Sequence, residues 1–205
     1  MKIIGIGMNY LKHNKELDGA FYKPADPVIF LMPDSALLRS PRPFFVPDSM
    51  GRIDYEAELV ARICKLGKGI STRFAHRYYD AFTVGIDFTA RQLQTKLRQA
   101  GGPWELCKGF DGAAYIGDWV PKAELPAVEG LQFRLDLNGE TVQTGCTSDM
   151  LYSLDELIAY ASKYFTLKTG DLIFTGTPAG IGPVKEADRL EGWLEGRKVL
   201  DCKCK

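Results

Sequence analysis

The sequence predicts an α+β domain in which β-strands dominate. Strand candidates outnumber helix candidates along the 205 residues, and the two kinds do not alternate regularly, which argues against a doubly wound sheet. Asn138-Gly139, between two strand candidates, is typical of the two-residue turn of an antiparallel hairpin. Hydrophobic residues make up 45% of the chain, enough for a sizeable core, and no repeat or linker divides it. We therefore expect one domain over residues 1–205.

The individual elements follow from the spacing of apolar residues. Short apolar runs and alternation predict strands at residues 2–7, 28–31, 53–64, 81–87, 127–138, 140–145, 172–175 and 199–203. Helical spacing predicts helices at residues 11–17, 72–81, 90–100 and 154–164. Gly19 and the turn-rich residues 23–27 follow the first helix, so we expect a mobile segment near residues 13–25.

Composition excludes several classes of function. The formal net charge is zero, from 26 basic and 26 acidic residues, and no basic run indicates a nucleic-acid face. The first residues lack the pattern of a signal peptide, and no apolar run approaches the roughly 20 residues that span a bilayer, so we expect no membrane partner and a cytoplasmic protein. The five cysteines have neither the even number of a disulfide framework nor the CxxC spacing of a zinc site.

Three carboxylates indicate a metal site. Glu56 and Glu58 lie two apart in a strand candidate, where side chains at that spacing share a face, and they would repel each other unless a cation lay between them. Asp87 ends an apolar strand candidate. The simpler alternatives are a solvated edge strand for the two glutamates and a helix N-cap near Thr89 for Asp87. An oxygen-rich site in a chain with only two histidines favours Mg²⁺ or Mn²⁺ over zinc.

Several segments are characteristic in their order and spacing. They are Asn9-Tyr10-x-x-His13-x-x-Glu16, Asp54-Tyr55-Glu56-Ala57-Glu58-Leu59, Asp87-Phe88-Thr89-Ala90-Arg91-x-Leu93-Gln94, Gly102-Pro103-Trp104, Lys108-x-Phe110-Asp111 and Gly170-Asp171-x-Ile173-x-Thr175-Gly176-Thr177-Pro178. Together they closely resemble the fumarylacetoacetate hydrolase family, from residue 3 to about residue 200. The resemblance implies a mixed β-roll, a homodimer, and Mg²⁺ or Mn²⁺ held by Glu56, Glu58 and Asp87.

The resemblance also implies roles for residues near the metal. It directs Lys108 toward the substrate, where an ammonium would share the charge of an enolate; the alternative is a surface lysine. Arg91 and Gln94 share a face of the predicted helix and would contact the bound ligand or the carboxylates, unless Arg91 forms an ordinary ion pair. Thr177 offers hydrogen-bond donors to a substrate carboxylate, unless its turn only joins two strands.

His13 and Glu16 are expected to form the acid–base pair. They lie three apart on a predicted helix, so Glu16 can orient the imidazole as a general base for water, and the resemblance implies that this pair lies on a lid over the substrate. The alternative is a lone exposed histidine. His76 has no motif around it and is expected to be dispensable. Met32 departs from the family, in which a lysine often precedes this proline, and its presence is expected to alter substrate preference.

The expected activity is cleavage of a small 2-oxo acid through a metal-stabilised enolate. The resemblance is strongest to acylpyruvate hydrolases and oxaloacetate decarboxylases. The alternative is an isomerase or decarboxylase of a 2-hydroxy-dienedioate in aromatic catabolism, which shares the same core. A third possibility is a non-enzymatic metal-binding protein, favoured only by Met32. Loops at residues 17–25, 101–107 and 177–184 are expected to shape the pocket around the substrate.

Overall fold

The computed structural model describes residues 1–18 and 23–205, and strands dominate this part of the chain. The strands are β1 Ile3–Gly7, β2 Val28–Met32, β3 Leu37–Arg39, β4 Ile53–Tyr55, β5 Ala57–Ile63, β6 Tyr79–Asp87, β7 Thr89–Ala90, β8 Ala114–Ile116, β9 Val120–Pro121, β10 Gln132–Leu137, β11 Glu140–Cys146, β12 Leu172–Phe174, β13 Gly182–Pro183, β14 Arg189–Leu194 and β15 Arg197–Lys203. The helices are α1 Leu11–Asp18, α2 Thr72–Ala75, α3 Arg91–Ala100, α4 Glu105–Lys108 and α5 Leu154–Tyr164. This content confirms the predicted mainly β, α+β class.

The strands form three sheets. The largest has the order β2-β1-β12-β5-β6-β8-β3, with β9 added beside β6. Strands β1 and β12 are parallel, as are β3 and β8, and the other pairs are antiparallel, so the sheet is mixed. A second sheet has the order β11-β10-β14-β15, and a small third sheet joins β13, β4 and β7. This mixed arrangement confirms the β-roll that the resemblance implies.

The strand predicted at residues 53–64 is interrupted. Strand β4 pairs with β7 and β13 in the small sheet, whereas β5 pairs with β6 and β12 in the large one, and Glu56 lies at the break. The strand that pairs with β5, β6, leaves the large sheet at the same place. It ends at Asp87, and β7, which pairs with β4, begins two residues later. The two paired strand segments, β4–β5 and β6–β7, therefore bend at the same place, which is called the shared corner below. The Asp87 N–H donates to the Glu56 carbonyl there at 2.9 Å.

Local sequence signals predicted some elements well. The hairpin turn is present, with Asn138 and Gly139 both at positive φ between β10 and β11. Helix α5 has the predicted bounds, and a capping box between Ser153 and Glu156 begins it. The described chain has no helix long and apolar enough to cross a membrane.

The helix predicted at residues 72–81 is wrong in its second half. Helix α2 ends at Ala75, and β6 already begins at Tyr79, which is buried and pairs with Ile63 of β5. Pairing with a central strand therefore overrides the local helical spacing. Of the mobile segment expected near residues 13–25, residues 19–22 lie outside the described residues.

Candidate metal centre

The shared corner brings three buried carboxylates together. Glu56 comes from the break between β4 and β5, Glu58 from the second residue of β5, and Asp87 from the end of β6. They are 4%, 2% and 1% exposed, and one ligand oxygen from each lies within 4.8 Å of the other two. Neither simpler alternative fits this geometry: the glutamates are not on a solvated edge, and the N-cap position of α3 is Ala90.

Lys108 bridges two of the carboxylates. It lies at the end of α4, is 2% exposed, and its Nζ donates to Glu56 Oε2 and Asp87 Oδ2 at 2.6 Å and to Thr89 Oγ1 at 2.7 Å. Burial alone would lower the pKa of Lys108, but the carboxylates of Asp87 and Glu56 outweigh it and raise that pKa. Lys108 is therefore a buried cation in the cluster, and the surface-lysine alternative is wrong.

Arg91 is both an ion-pair partner and a support for Glu56. Its Nε donates to Asp54 Oδ2 at 2.8 Å, its Nη2 to Glu56 Oε1 at 2.5 Å, and its Nη1 to Gln94 Oε1 at 2.5 Å. Lys108 and Arg91 thus each hold one oxygen of Glu56. Burial opposes ionisation of Glu56, but these two cations outweigh it and lower its pKa.

Glu58 and Asp87 are less well compensated, because no ion pair reaches Glu58 among the described residues and Lys108 contacts only one oxygen of Asp87. Glu58 Oε2 accepts from the Gly176 N–H at 2.7 Å, and Asp87 Oδ1 is buried without a hydrogen-bond partner among the residues the structure describes. Burial, followed by the charge of Asp87, raises the pKa of Glu58 well above its usual range. Burial also raises the pKa of Asp87, to about 7, despite the nearby Lys108 ammonium. Both shifts favour the protonated form, so a cation that binds these groups would compete with protons.

The charges of the cluster do not balance. Fully ionised, it contains four carboxylates, from Asp54, Glu56, Glu58 and Asp87, against three cations, from Arg52, Arg91 and Lys108. One divalent metal ion at the unpartnered Asp87 oxygen would change the sum from −1 to +1. Three carboxylates are hard oxygen donors, so the residues present fit Mg²⁺ or Mn²⁺. The resulting positive site would attract an anionic ligand.

His13 and Glu16 form a pair near the carboxylates. His13 is 4% exposed on α1, and its Nδ1 lies 3.4 Å from Glu16 Oε2, a long contact. Both Glu16 oxygens accept from the Gly180 N–H at 3.2 Å, which ties α1 to the loop after Thr177. Partial burial opposes ionisation of Glu16, but the hydrogen bonds from His13 and Gly180 lower its pKa. His13 is thus a buried, paired histidine, contrary to the exposed alternative.

A small cavity adjoins both groups of residues. Its volume is about 20 Å³, which holds a single water-sized group. It is lined by the three carboxylates and Lys108 together with His13, Gln94 and Thr177, and Phe30 and Trp104 add apolar lining. All nine predicted site residues except Arg91 and Glu16 therefore line one cavity, and those two contact residues that do.

Met32 and His76 lie away from this cavity. Met32 is buried in β2 among Ile3, Phe30 and Phe174, so its side chain belongs to the hydrophobic core and does not line the cavity. Its position gives no contact through which it would alter substrate preference directly. His76 is exposed at the end of α2.

Sequence reasoning missed the buried polar residues that hold the predicted ones in place. Asp54 is fully buried and accepts a hydrogen bond from Arg91. Thr89 accepts one from Lys108, and Gln143 donates one to Thr177. Asp54 and Thr89 carried a signal, because both lie inside the motif segments beside a metal-ligand candidate. Gln143 had none, because it lies between exposed polar residues of β11, Thr141 and Thr144, as in an ordinary edge strand.

Comparisons with known proteins cover nearly the whole chain. The family model described as fumarylacetoacetate (FAA) hydrolase, C-terminal, matches residues 2–203. An oxaloacetate tautomerase of Escherichia coli is 36% identical over 97% of this chain and 90% of its own length. A fumarylpyruvate hydrolase from Pseudomonas aeruginosa, crystallised with Mn²⁺ and pyruvate, superposes with a TM-score of 0.93 at 32% identity, covering 100% of this chain and 89% of that one. A 2-hydroxyhepta-2,4-diene-1,7-dioate isomerase from Mycobacterium marinum has a TM-score of 0.84 at 30% identity, covering 99% and 73%.

Proposed function

Because the chain belongs to the fumarylacetoacetate hydrolase family, we propose that it is a divalent-metal-dependent enzyme that enolises a small 2-oxo acid, with oxaloacetate as the leading substrate. The observation that carries the proposal is the buried cluster of Glu56, Glu58 and Asp87, in which one Asp87 oxygen has no partner among the described residues. Buried like charges are costly without a cation. The name of the Escherichia coli relative supports keto–enol tautomerisation of oxaloacetate.

In this proposal Glu56, Glu58 and Asp87 hold Mg²⁺ or Mn²⁺. A bound divalent ion polarises the 2-oxo group of a substrate and stabilises the enolate. The Pseudomonas aeruginosa relative was crystallised with Mn²⁺ and pyruvate, which supports both the metal and the ligand class. Lys108 contacts both Glu56 and Asp87, and its ammonium would share the charge that develops on the enolate oxygen.

His13 would move the proton that interconverts the keto and enol forms. Its Nδ1 contacts Glu16, which leaves Nε2 as the nitrogen available to the substrate. When Nδ1 carries the proton and donates a hydrogen bond to Glu16, Nε2 is unprotonated. It is then a base that can accept a proton from the carbon next to the 2-oxo group. The same nitrogen can then return a proton to carbon or to the enol oxygen. Thr177, which lines the same cavity, would donate to a substrate carboxylate.

Hydrolysis of a C–C bond in an acylpyruvate is the second candidate. The pairing of His13 with Glu16 favours it, because a base oriented by a carboxylate can also activate water. The name of the Pseudomonas aeruginosa relative supports this reaction. Oxaloacetate decarboxylation and dienedioate isomerisation also pass through enolate-type intermediates, and the name of the Mycobacterium marinum relative supports the latter.

One experiment separates these reactions. Protein stripped with EDTA would be assayed with and without Mg²⁺ or Mn²⁺ for loss of the ultraviolet absorbance of enol-oxaloacetate, and in parallel for pyruvate release from oxaloacetate and acylpyruvates. Glu58→Gln removes one proposed ligand charge, and Glu140→Gln, on the exposed hairpin, is the matched control. Metal-restored tautomerisation that is lost only in Glu58→Gln is expected. Pyruvate release from acylpyruvates alone would favour the hydrolase, and a protein that binds metal but turns over neither substrate would refute both.

We also propose that the protein acts as a homodimer of single-domain subunits. The resemblance to the family supports this proposal. Light scattering after size-exclusion chromatography tests it, and a monomer at assay concentration would contradict it.

A further inference from the structure

Gln143 spans the space between two parts of the candidate site. Its side chain, on β11, is 2% exposed and uses all of its polar hydrogens and its oxygen. Nε2 donates to Thr177 Oγ1 and to the Pro178 carbonyl, both at 2.9 Å, and Oε1 accepts from the Ala57 N–H at 2.8 Å. Ala57 lies between Glu56 and Glu58, so this one amide links the metal-ligand segment to the loop that carries Thr177.

The orientation of this amide is fixed by its backbone partners. A backbone N–H can meet only an acceptor, and a backbone carbonyl can meet only a donor. The oxygen of Gln143 must therefore face Ala57, and its NH₂ group must face Pro178 and Thr177. The assignment does not depend on the choice between two similar amide rotamers.

This orientation determines what Thr177 can offer to a ligand. Because Thr177 Oγ1 accepts from Gln143, its single hydroxyl proton must point elsewhere. The acceptor that the Thr177 hydroxyl contacts is the Pro178 carbonyl, at a long 3.4 Å, so this hydrogen bond is weak. Thr177 also lines the cavity that contains the three carboxylates and Lys108. A closer acceptor on a ligand in the cavity would therefore compete well for the hydroxyl proton.

We propose that Gln143 is a positioning residue for ligand specificity, which makes Thr177 a donor reserved for an anionic oxygen of the ligand. The inference deepens the proposed function and rests on it. The ligand class is a carboxylate-bearing 2-oxo acid, because a carboxylate supplies only acceptors. A site whose buried donor finds no acceptor discriminates strongly against the ligand that lacks one. Gln143 touches no ligand in this proposal and acts through Thr177.

A double-mutant cycle tests this coupling. Gln143→Glu keeps an acceptor for the Ala57 N–H but removes the donor to Thr177, so the Thr177 proton turns toward residue 143. Thr177→Val removes the hydroxyl and keeps the branched shape. The two single variants and the double variant, loaded with Mn²⁺, would be titrated with pyruvate by water-proton relaxation, with KM and kcat for oxaloacetate measured alongside. Thr144→Val, an exposed neighbour on the same strand, is the control.

We expect each single variant to weaken pyruvate binding about tenfold, the effect of one hydrogen bond to a charged group. In the Val background, Gln143→Glu should change binding less than about twofold, and KM should rise more than kcat falls. Gln143→Met, which removes every polar contact but keeps the length, replaces Gln143→Glu if that variant fails to fold.

Other results would overturn the inference. An equal loss in both backgrounds would mean that Gln143 does not act through Thr177. A loss of Mn²⁺ affinity in Gln143→Glu, with pyruvate binding otherwise intact, would mean that it acts through Ala57 on the carboxylates. Failure of the proposed function looks different, because Mn²⁺-loaded wild-type protein would then bind neither pyruvate nor oxaloacetate.

Discussion

Replacing Lys108 with methionine should make the stability of the protein depend on metal. Lys108 is buried and donates to Glu56, Asp87 and Thr89. Removing one partner of a buried ion pair costs about 3–5 kcal/mol, because the remaining charges stay buried without compensation. For a chain of this size each kcal/mol lowers Tm by about 2–4 °C, so the metal-free variant should melt about 6–20 °C below the metal-free wild type.

A bound divalent ion should restore most of this loss. It would supply the missing positive charge, and Lys108→Met frees two carboxylate oxygens from a competing cation, so Mn²⁺ affinity should rise. Turnover of oxaloacetate should nevertheless fall by about 100-fold or more, because the enolate loses a fixed cation. Calorimetry with EDTA and with MnCl₂, and Mn²⁺ titration, would measure these effects.

The control variant for this experiment is Lys198→Met. Its ammonium pairs with Glu191 and Asp201 at the surface, where an ion pair contributes at most about 1 kcal/mol, so its Tm should shift little in either condition. If Lys108→Met melts equally early with and without Mn²⁺ and keeps its turnover, the ammonium is not part of a metal-compensated cluster, and the reasoning fails.

Two further predictions concern the carboxylates. Since burial raises the pKa of Asp87 to about 7 and that of Glu58 well above its usual range, metal-free protein should lose stability as pH rises from about 5 to 7, and Mn²⁺ binding should tighten over that window with proton release. Calorimetric titration in buffers of different ionisation enthalpy would detect the protons, and a buffer-independent heat would contradict it. Asp54→Asn should lower Mn²⁺ affinity about tenfold by freeing Arg91 from its partner beside Glu56, whereas unchanged affinity would show that Arg91 needs no such support.

The elements that the sequence predicted best are those with local determinants. Helix α5 has a capping box at its first turn, and the 138–139 hairpin has a residue pair suited to positive φ, so neither depends on distant contacts. The errors at residues 53–64 and 72–81 have the opposite cause. Alternation identifies residues 53–64 as strand material but cannot show that pairing partners change at Glu56, and helical spacing cannot anticipate that Tyr79 pairs with Ile63.

In the candidate site, too, the residues with local sequence signals were predicted and those that depend on distant contacts were not. Glu56, Glu58 and Asp87 could be proposed from their types and positions, and the motif resemblance added Lys108. The prediction that Glu56 and Glu58 meet because they share a strand face was incomplete, since Glu56 lies at the corner outside both strands. Gln143 could not be predicted, because its partners are 34, 35 and 86 residues away and no local pattern links them.

The hydrophobic register of β5 explains why Glu58 faces the site at all. Leu59, Ala61 and Ile63 belong to the larger core cluster, whereas Val60 packs with Phe174 in a smaller one on the other side of the sheet. Glu58 shares the face of Val60, because side chains two apart in a strand point the same way. A slip of one residue would direct the carboxylate into the larger cluster and expel leucine from it. The apolar residues of this strand therefore set the position of the carboxylate, and the register that buries Leu59 also places Glu58 in the carboxylate cluster.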